Sequence, residues 1–289
     1  MRLRLAWGLL LLLAFIWGSS FILIKRGLSI FSAGEVGALR IAIAFLLLLP
    51  AAIVHVRAIP AQKWLHVFLT GFLGNFLPAF LFAKAQQYLP SSVVGILNGL
   101  TPIFTLVVGV LFFAFQLRKW QLAGILMGFS GSLSLSWIRS SGQLGEFNPY
   151  ILLIAAATIC YGFSVNIIGK YLRQLPSLAI SSVALLLVGP IAVLYLLLGT
   201  DFVNKCQYGN AAWIALGYIG ILATFGTALG LVFFNKLVKI TSPVFASSVT
   251  YLIPIVALLW GVADGEQLTW LHGLGMMLIV GGVYVANRF

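Results

Sequence analysis

The sequence predicts an all-α membrane protein with ten transmembrane helices, arranged as a 5+5 inverted-topology repeat. Composition, the spacing of apolar runs and the distribution of charge predict it together. Of the 289 residues, 62% are hydrophobic and 8% charged, against about 45–50% and about 25% in a soluble domain. An ordinary water-soluble fold is excluded, and so is disorder, which needs low hydrophobicity. A bilayer-spanning helix takes about 20 apolar residues, so ten use roughly 200 and leave about nine per connection.

The first run, 5–24, follows Arg2 and Arg4 and imitates a secretory leader. No small-x-small cleavage site follows, and apolar sequence continues through Trp17 to Ile24, so the run reads as an uncleaved span. The second, 33–54, carries Arg40 about two turns in. A buried Arg is expensive and usually paired; Glu35 is a candidate, but five residues away it does not share the helix face. The third, 64–86, holds Asn75, Pro78 and, near its end, Lys84. The fourth, 91–113, holds Asn98 and Pro102, and the fifth is 120–138. The sixth, 148–168, contains Cys160, Tyr161 and Ser164. Cys160 is read as a small core residue, and Cys206 lies in a polar loop, so no disulfide is expected. The remaining runs are 177–198, 211–233, 243–262 and 269–287. None alternates long enough for a barrel strand. Backbone groups in hydrocarbon must bond internally, so each run is expected to be helical.

Assigning connections alternately to two sides tests this count. The side of the N-terminus receives Arg2, Arg4, Arg57, Lys63, Arg118, Lys119, Lys170, Arg173, Lys236, Lys239 and Arg288, and no acid. The other side receives six basic residues and all five acids, Glu35, Glu146, Asp201, Asp264 and Glu266. Positive charge gathers on the cytoplasmic side of membrane proteins, so both termini are expected there. Scattered in this way, the net charge of +12 does not describe a nucleic-acid surface.

The halves resemble each other. At an offset of 152, LTPIFTLVVGV (100–110) meets LIPIVALLWGV (252–262), and Gly74, Leu77, Phe82 and Lys84 meet Gly226, Leu229, Phe234 and Lys236. Gly124 and Gly131 meet Gly275 and Gly282 at one residue less. At 144, Trp17-Gly18-Ser19-Ser20 meets Tyr161-Gly162-Phe163-Ser164. The repeats are taken as 1–143 and 144–289 within one membrane domain. A unit of five spans inverts its successor, and inverted repeats recur in secondary transporters with the site near the midplane.

WGSSFILIK at 17–25, Arg40, the proline-containing fourth and ninth runs, and Gly265-Glu266 before a glycine-rich tenth run carry a resemblance. On these residues the whole chain resembles the EamA type of the drug/metabolite transporter superfamily. The resemblance implies alternating-access transport of a small metabolite across the inner membrane; export is a family-level expectation. Relatives move amino acids, nucleobase-like compounds, vitamins or toxic cations. One departure is that the loop after the fourth run reads Ala114-Phe115-Gln116 where the pattern has Gly-Glu.

Candidate substrate-binding residues are polar or aromatic groups at mid-span, taken in repeat pairs. Proline removes the donor for the carbonyl four residues earlier, so Pro102 is expected to free that of Asn98, Pro254 that of Thr250 and Pro78 that of Gly74. Asn98 and Thr250 are thus candidates, with Asn75 and its counterpart Thr227. Tyr251, beside Thr250, is a candidate for stacking on a planar solute; the alternative is that it faces lipid. Trp17 and Tyr161 are expected to help close the two mouths in turn, with Ser20 and Ser164 one turn beyond. Lys84 and Lys236 are read as reaching to the interface. The expected solute is small and polar or amphipathic, amino-acid-like; a strongly cationic one fits less well, because no Asp or Glu lies at mid-span. No cofactor or metal is expected. Besides the substrate the partners are membrane lipids, with no nucleic acid, in a monomer or homodimer. The alternative is an integral membrane enzyme acting on a lipid or other hydrophobic substrate. Against it, the three histidines, His55, His66 and His272, are scattered and share no ligand spacing. Nor is there a phosphate-binding loop of the nucleotide-hydrolysing kind.

Overall fold

The computed structural model describes residues 2–89, 94–95, 97–116, 118–139, 148–207, 209–263 and 270–288. Glu146, Asp264, Gly265 and Glu266 lie outside the described residues, as does the His272 side chain. Among the described residues the chain is helical, with no strand.

Helix α1 is Arg2–Gly27 and α2 is Ala33–His55. Ser32 caps α2: its hydroxyl accepts from the Glu35 amide at 3.3 Å, and the Glu35 carboxylate accepts from the Ser32 amide at 2.6 Å. This reciprocal box satisfies two backbone donors that a helix start leaves open. Helix α3 comprises Trp64–Gly71, a π-helical stretch Phe72–Phe76, and Leu77–Gln86. Helix α4 is Asn98–Phe113, which opens with a 3-10 turn, and α5 is Lys119–Arg139. Helix α6 comprises Ile151–Ile167 and the π stretch Ile168–Leu172, and α7 is Ser177–Leu198. Helix α8 comprises Asn210–Ile221, a longer π stretch Leu222–Leu229, and Gly230–Ile240. Helix α9 is Pro243–Ser247 followed by Val249–Ala263, and α10 is Trp270–Arg288. By length and composition α1, α2, α3, α6, α7 and α8 can each cross a membrane, and α4 and α9 supply shorter apolar helices.

Two prolines sit differently from the expectation. Pro102 and Pro78 occupy the first turn of a regular α-segment, Thr101–Phe113 and Leu77–Gln86. A residue without an N–H is tolerated where the amide has no intrahelical partner. The carbonyl of Asn98 is not spare, because the Thr101 hydroxyl donates to it at 2.8 Å. Of these three prolines, Pro254 alone lies inside its helix segment.

The packing is reciprocal. Helix α2 lies along α7, and α5 lies along α10. Helix α4 packs on α6, and α1 on α9. The second half of α3 packs on α6, and the Gly230–Ile240 part of α8 packs on α1. Helices α5 and α10 meet through glycine: a Cβ at Gly131 would stand 2.9 Å from the Gly275 carbonyl oxygen, and one at Gly282 would collide with the Gly128 amide. Hydrocarbon offers no hydrophobic drive between helices, so close backbone approach gives the contact its dispersion energy.

One buried apolar cluster joins the first half of α1 to α6, α7, α8 and α9 through Leu10, Leu13, Leu172, Ile180, Val183 and Leu237. A second joins α2 to α7 and the front of α8 through Val36, Ile41, Leu185, Val188 and Ile219. A third, with Phe21, Phe82, Ile154 and Ile253, lies toward the Tyr150 end of α6. The outer surface carries exposed Leu11, Phe15, Leu46, Val54, Leu111, Phe112 and Leu198. Water would penalise that apolar belt, and lipid would not.

Candidate functional site

Between these clusters lies a cavity with a water-accessible volume of about 100 Å³. One water needs roughly 10–15 Å³ measured in this way, so there is room for several waters or one small solute. The wall is apolar for the most part, with polar groups set into it, as in a solute site.

Seven of the nine sequence candidates line it: Trp17, Ser20, Asn75, Asn98, Tyr161, Ser164 and Thr250. The Trp17 ring lies on Phe234, with centroids 5.2 Å apart, and its Nε1 donates to the Gly226 carbonyl at 2.9 Å. The Tyr161 ring stacks on Phe82 at 5.9 Å and 25°. Ser20 lies against Gly226, and Ser164 against Gly74. The Ser20 hydroxyl donates to the Ile16 carbonyl, and that of Ser164 to Thr70 of α3 at 3.4 Å. The side-chain Oδ1 of Asn98 lies 3.2 Å from the Thr101 hydroxyl. Among the described residues, neither the Asn98 Nδ2 nor the Asn75 amide has a protein partner, and both residues line the cavity. The Thr250 hydroxyl donates to the Ser247 carbonyl at 3.0 Å.

The remaining two candidates stand elsewhere. Tyr251 is fully buried against Gly128, and its hydroxyl donates to the Ile125 carbonyl of α5 at 3.2 Å. Thr227 lies one side chain behind the wall, where it accepts from Arg40 Nε at 2.7 Å. Arg40 itself lines the cavity, and no other charged side chain among the described residues does. Glu35 is not its partner: the carboxylate pairs with Lys205 at 2.7 Å.

Further polar groups line the cavity without having been singled out from sequence. Asn235 Nδ2 donates to the Ser181 hydroxyl at 2.8 Å, tying α8 to α7. Thr70, Thr101 and Ser247 also line it. Repeat pairing could not find Asn235 or Ser181, because their counterparts are Ala83 at 152 and Gly37 at 144. Proximity to a neighbouring polar run, as in Ser181-Ser182 and Ser247-Ser248, was the available signal.

Cations close several helix ends. Lys170 donates to the Phe113 carbonyl at 3.1 Å, Arg173 to those of Lys239 and Thr241, and Lys239 to that of Leu175. These satisfy final carbonyls and suit the negative end of the helix dipole. Lys84 reaches out to Gln87 and Tyr88. The His66 ring lies against Tyr171 with centroids 4.4 Å apart and the planes tilted by 46°. Among the described residues no group of three His, Cys, Asp or Glu is placed to hold a metal.

Known proteins share both the sequence pattern and the fold. The uncharacterized inner membrane transporter YedA of Escherichia coli K12 is 26% identical over 287 residues, covering 97% of this chain and 90% of its own. A probable amino-acid metabolite efflux pump of Salmonella typhimurium is 29% identical over 289 residues, covering 96% and 93%. A solved crystal structure superposes with a TM-score of 0.74 over 98% of this chain and 96% of its own, at 20% identity, so it speaks to the fold alone. The family model described as the EamA-like transporter family matches residues 5–137 and again 148–288. With nearly the whole length matched in this way, the chain belongs to the EamA-like transporter family.

Proposed function

We propose that the protein is a secondary transporter of the inner membrane that moves a small polar or amphipathic metabolite, amino-acid-like, by alternating access in the export direction. The observation that carries the reading is a matched pair of aromatic contacts on one cavity with polar groups in its wall: Trp17 on Phe234, and Tyr161 on Phe82. The four residues are related by the same offsets that relate the two halves of the sequence, 144 and 152. Each contact joins one half of the sequence to the other beside the shared cavity, as two gates around one site require.

Other features support a 5+5 inverted repeat, with domains 1–143 and 144–289. The π stretches of α3 and α8 fall at equivalent positions. The packing of α4 on α6 is mirrored by α9 on α1. Gly18 approaches Val256, and Gly162 approaches Phe104, again at 144 and 152. Two similar halves exchange conformations at little energetic difference, and that exchange supplies inward- and outward-open states. Both termini then lie in the cytoplasm, beside the basic connections.

In this reading Asn75, Asn98, Ser20, Ser164 and Thr250 bind the solute, and Thr227 acts from behind through Arg40. Tyr251 belongs to the α9–α5 contact and is not assigned to the solute. The name of the Salmonella relative supports an amino-acid-like cargo. The test is flux in liposomes holding the purified chain, with radiolabelled amino acids supplied singly. Saturable flux of particular amino acids, reduced at least about tenfold by Asn98→Leu, is expected; one lost buried hydrogen bond to the solute accounts for that much. Absence of flux for every solute overturns the reading, and undiminished flux in Asn98→Leu removes Asn98 from the site.

A further inference from the structure

We infer that Arg40 is a carboxylate anchor, so that the solute taken by the cavity carries one free carboxylate group. The inference rests on the cavity being a solute site, and it names the chemistry that the site selects.

Arg40 enters from α2 and lines the cavity wall. Its Nε donates to the Thr227 hydroxyl of α8 at 2.7 Å, which fixes the direction of the side chain. A guanidinium has five N–H donors in a planar fork. After the bond to Thr227 four remain, on the two terminal nitrogens, and no protein acceptor for them is found among the described residues. Among the described residues no Asp or Glu lines the cavity. Glu35 is committed elsewhere, to the α2 cap and to Lys205.

An arginine at membrane depth without a counter-charge is costly, and such residues mark solute or ion paths. A carboxylate repays that cost best, because its two oxygens match the fork in two parallel charge-assisted bonds. The anchor is one-sided. At the offset of 144 that relates Trp17 to Tyr161, the counterpart of Arg40 is Ala184, which also lines the cavity. One guanidinium neutralises one carboxylate, so monocarboxylates and zwitterions are favoured over dianions. Besides Arg40 the wall offers the Asn75 and Asn98 amides and the Thr250 hydroxyl to the rest of the solute, an ammonium group included.

The test reads binding rather than flux. The full chain in detergent is unfolded by heat, with tryptophan fluorescence as the readout. The probes are the standard amino acids singly, each beside its carboxamide, with sodium chloride as the anion control. At least one free acid is expected to raise the unfolding midpoint while its carboxamide does not. Arg40→Gln should weaken that acid about 10–100-fold, the scale of a lost charged hydrogen-bond pair. Arg40→Lys, which keeps the charge and loses the fork, should recover part of the loss. Should Arg40→Gln fail to fold, Thr227→Val keeps the charge, frees Nε and should weaken the acid several-fold.

Carboxamides that stabilise as well as acids, no stabilisation by any acid, or the same shift with chloride each overturn the inference. A chain that binds acids and moves none would sink the transporter reading and leave this one standing. Equal flux of amides and acids would do the reverse.

Discussion

Asn98 and Tyr251 sit on helices that occupy equivalent places in the two halves, and they do different work. Asn98 keeps its Nδ2 for the cavity while the Thr101 hydroxyl occupies its carbonyl. Tyr251 spends its hydroxyl on the Ile125 carbonyl, behind the wall. Tyr251→Phe is therefore expected to lower stability by about 1 kcal/mol, the net worth of one buried hydrogen bond. Thermal unfolding would measure that loss, and liposome flux should stay within about twofold of the parent. Sequence alone placed Tyr251 with the solute because it adjoins Thr250. On an α-helix neighbours in sequence point about 100° apart, so adjacency to a cavity residue does not by itself place a side chain in the cavity. Repeat pairing was the better guide, though Thr227, the counterpart of Asn75, lies behind the wall, and positions where one half carries a polar group and the other does not escaped it. Ser181 opposite Gly37, Asn235 opposite Ala83 and Arg40 opposite Ala184 are such positions.

At the scale of the elements, hydropathy placed α2, α3 and α7 to within a residue and cut α6 and α8 short. The run 148–168 stopped before Gly169 and Lys170, and 211–233 stopped before Asn235, Lys236 and Lys239, yet the helices continue to Leu172 and Ile240. The polar residues that ended the runs have partners supplied by other elements: Lys170 at the Phe113 carbonyl, Lys239 at that of Leu175, Asn235 at Ser181. A hydropathy window sees their cost and not their partners. Periodicity also gave no sign of the π stretches. The α5–α10 contact was foreshadowed by its repeat-paired glycines. Gly282→Leu should disrupt it, because the new Cβ meets the Gly128 amide and the Gly124 carbonyl, both backbone. A destabilisation of at least about 2–3 kcal/mol is expected from such overpacking, read as a fall in the unfolding midpoint of the purified chain.

For the whole molecule, the two aromatic contacts predict opposite consequences of two similar mutations. In the alternating-access reading, Trp17→Ala and Tyr161→Ala should each loosen one gate. A cysteine placed at Ser181, on the cavity wall, should then be labelled faster by a membrane-impermeant thiol reagent from one side in the first mutant and from the other side in the second. A several-fold change in rate is expected from the loss of an aromatic contact of about 1 kcal/mol, in a background lacking Cys160 and Cys206. Identical patterns in the two mutants would separate these aromatics from gating. The π winding of α3 has a bearing of its own on how far the chain tolerates change. Such a stretch carries one residue more than the same rise of regular α-helix. Removing a single residue between 72 and 76 would therefore only restore ordinary winding, whereas removing one between 77 and 81, where the winding is already regular, would swing everything downstream by about 100°. Phe82 would leave the face of Tyr161, and the Lys84 ammonium would be turned from its water-side partners toward acyl chains. At this place the length of the polypeptide, and not only its chemistry, keeps the cavity wall in register.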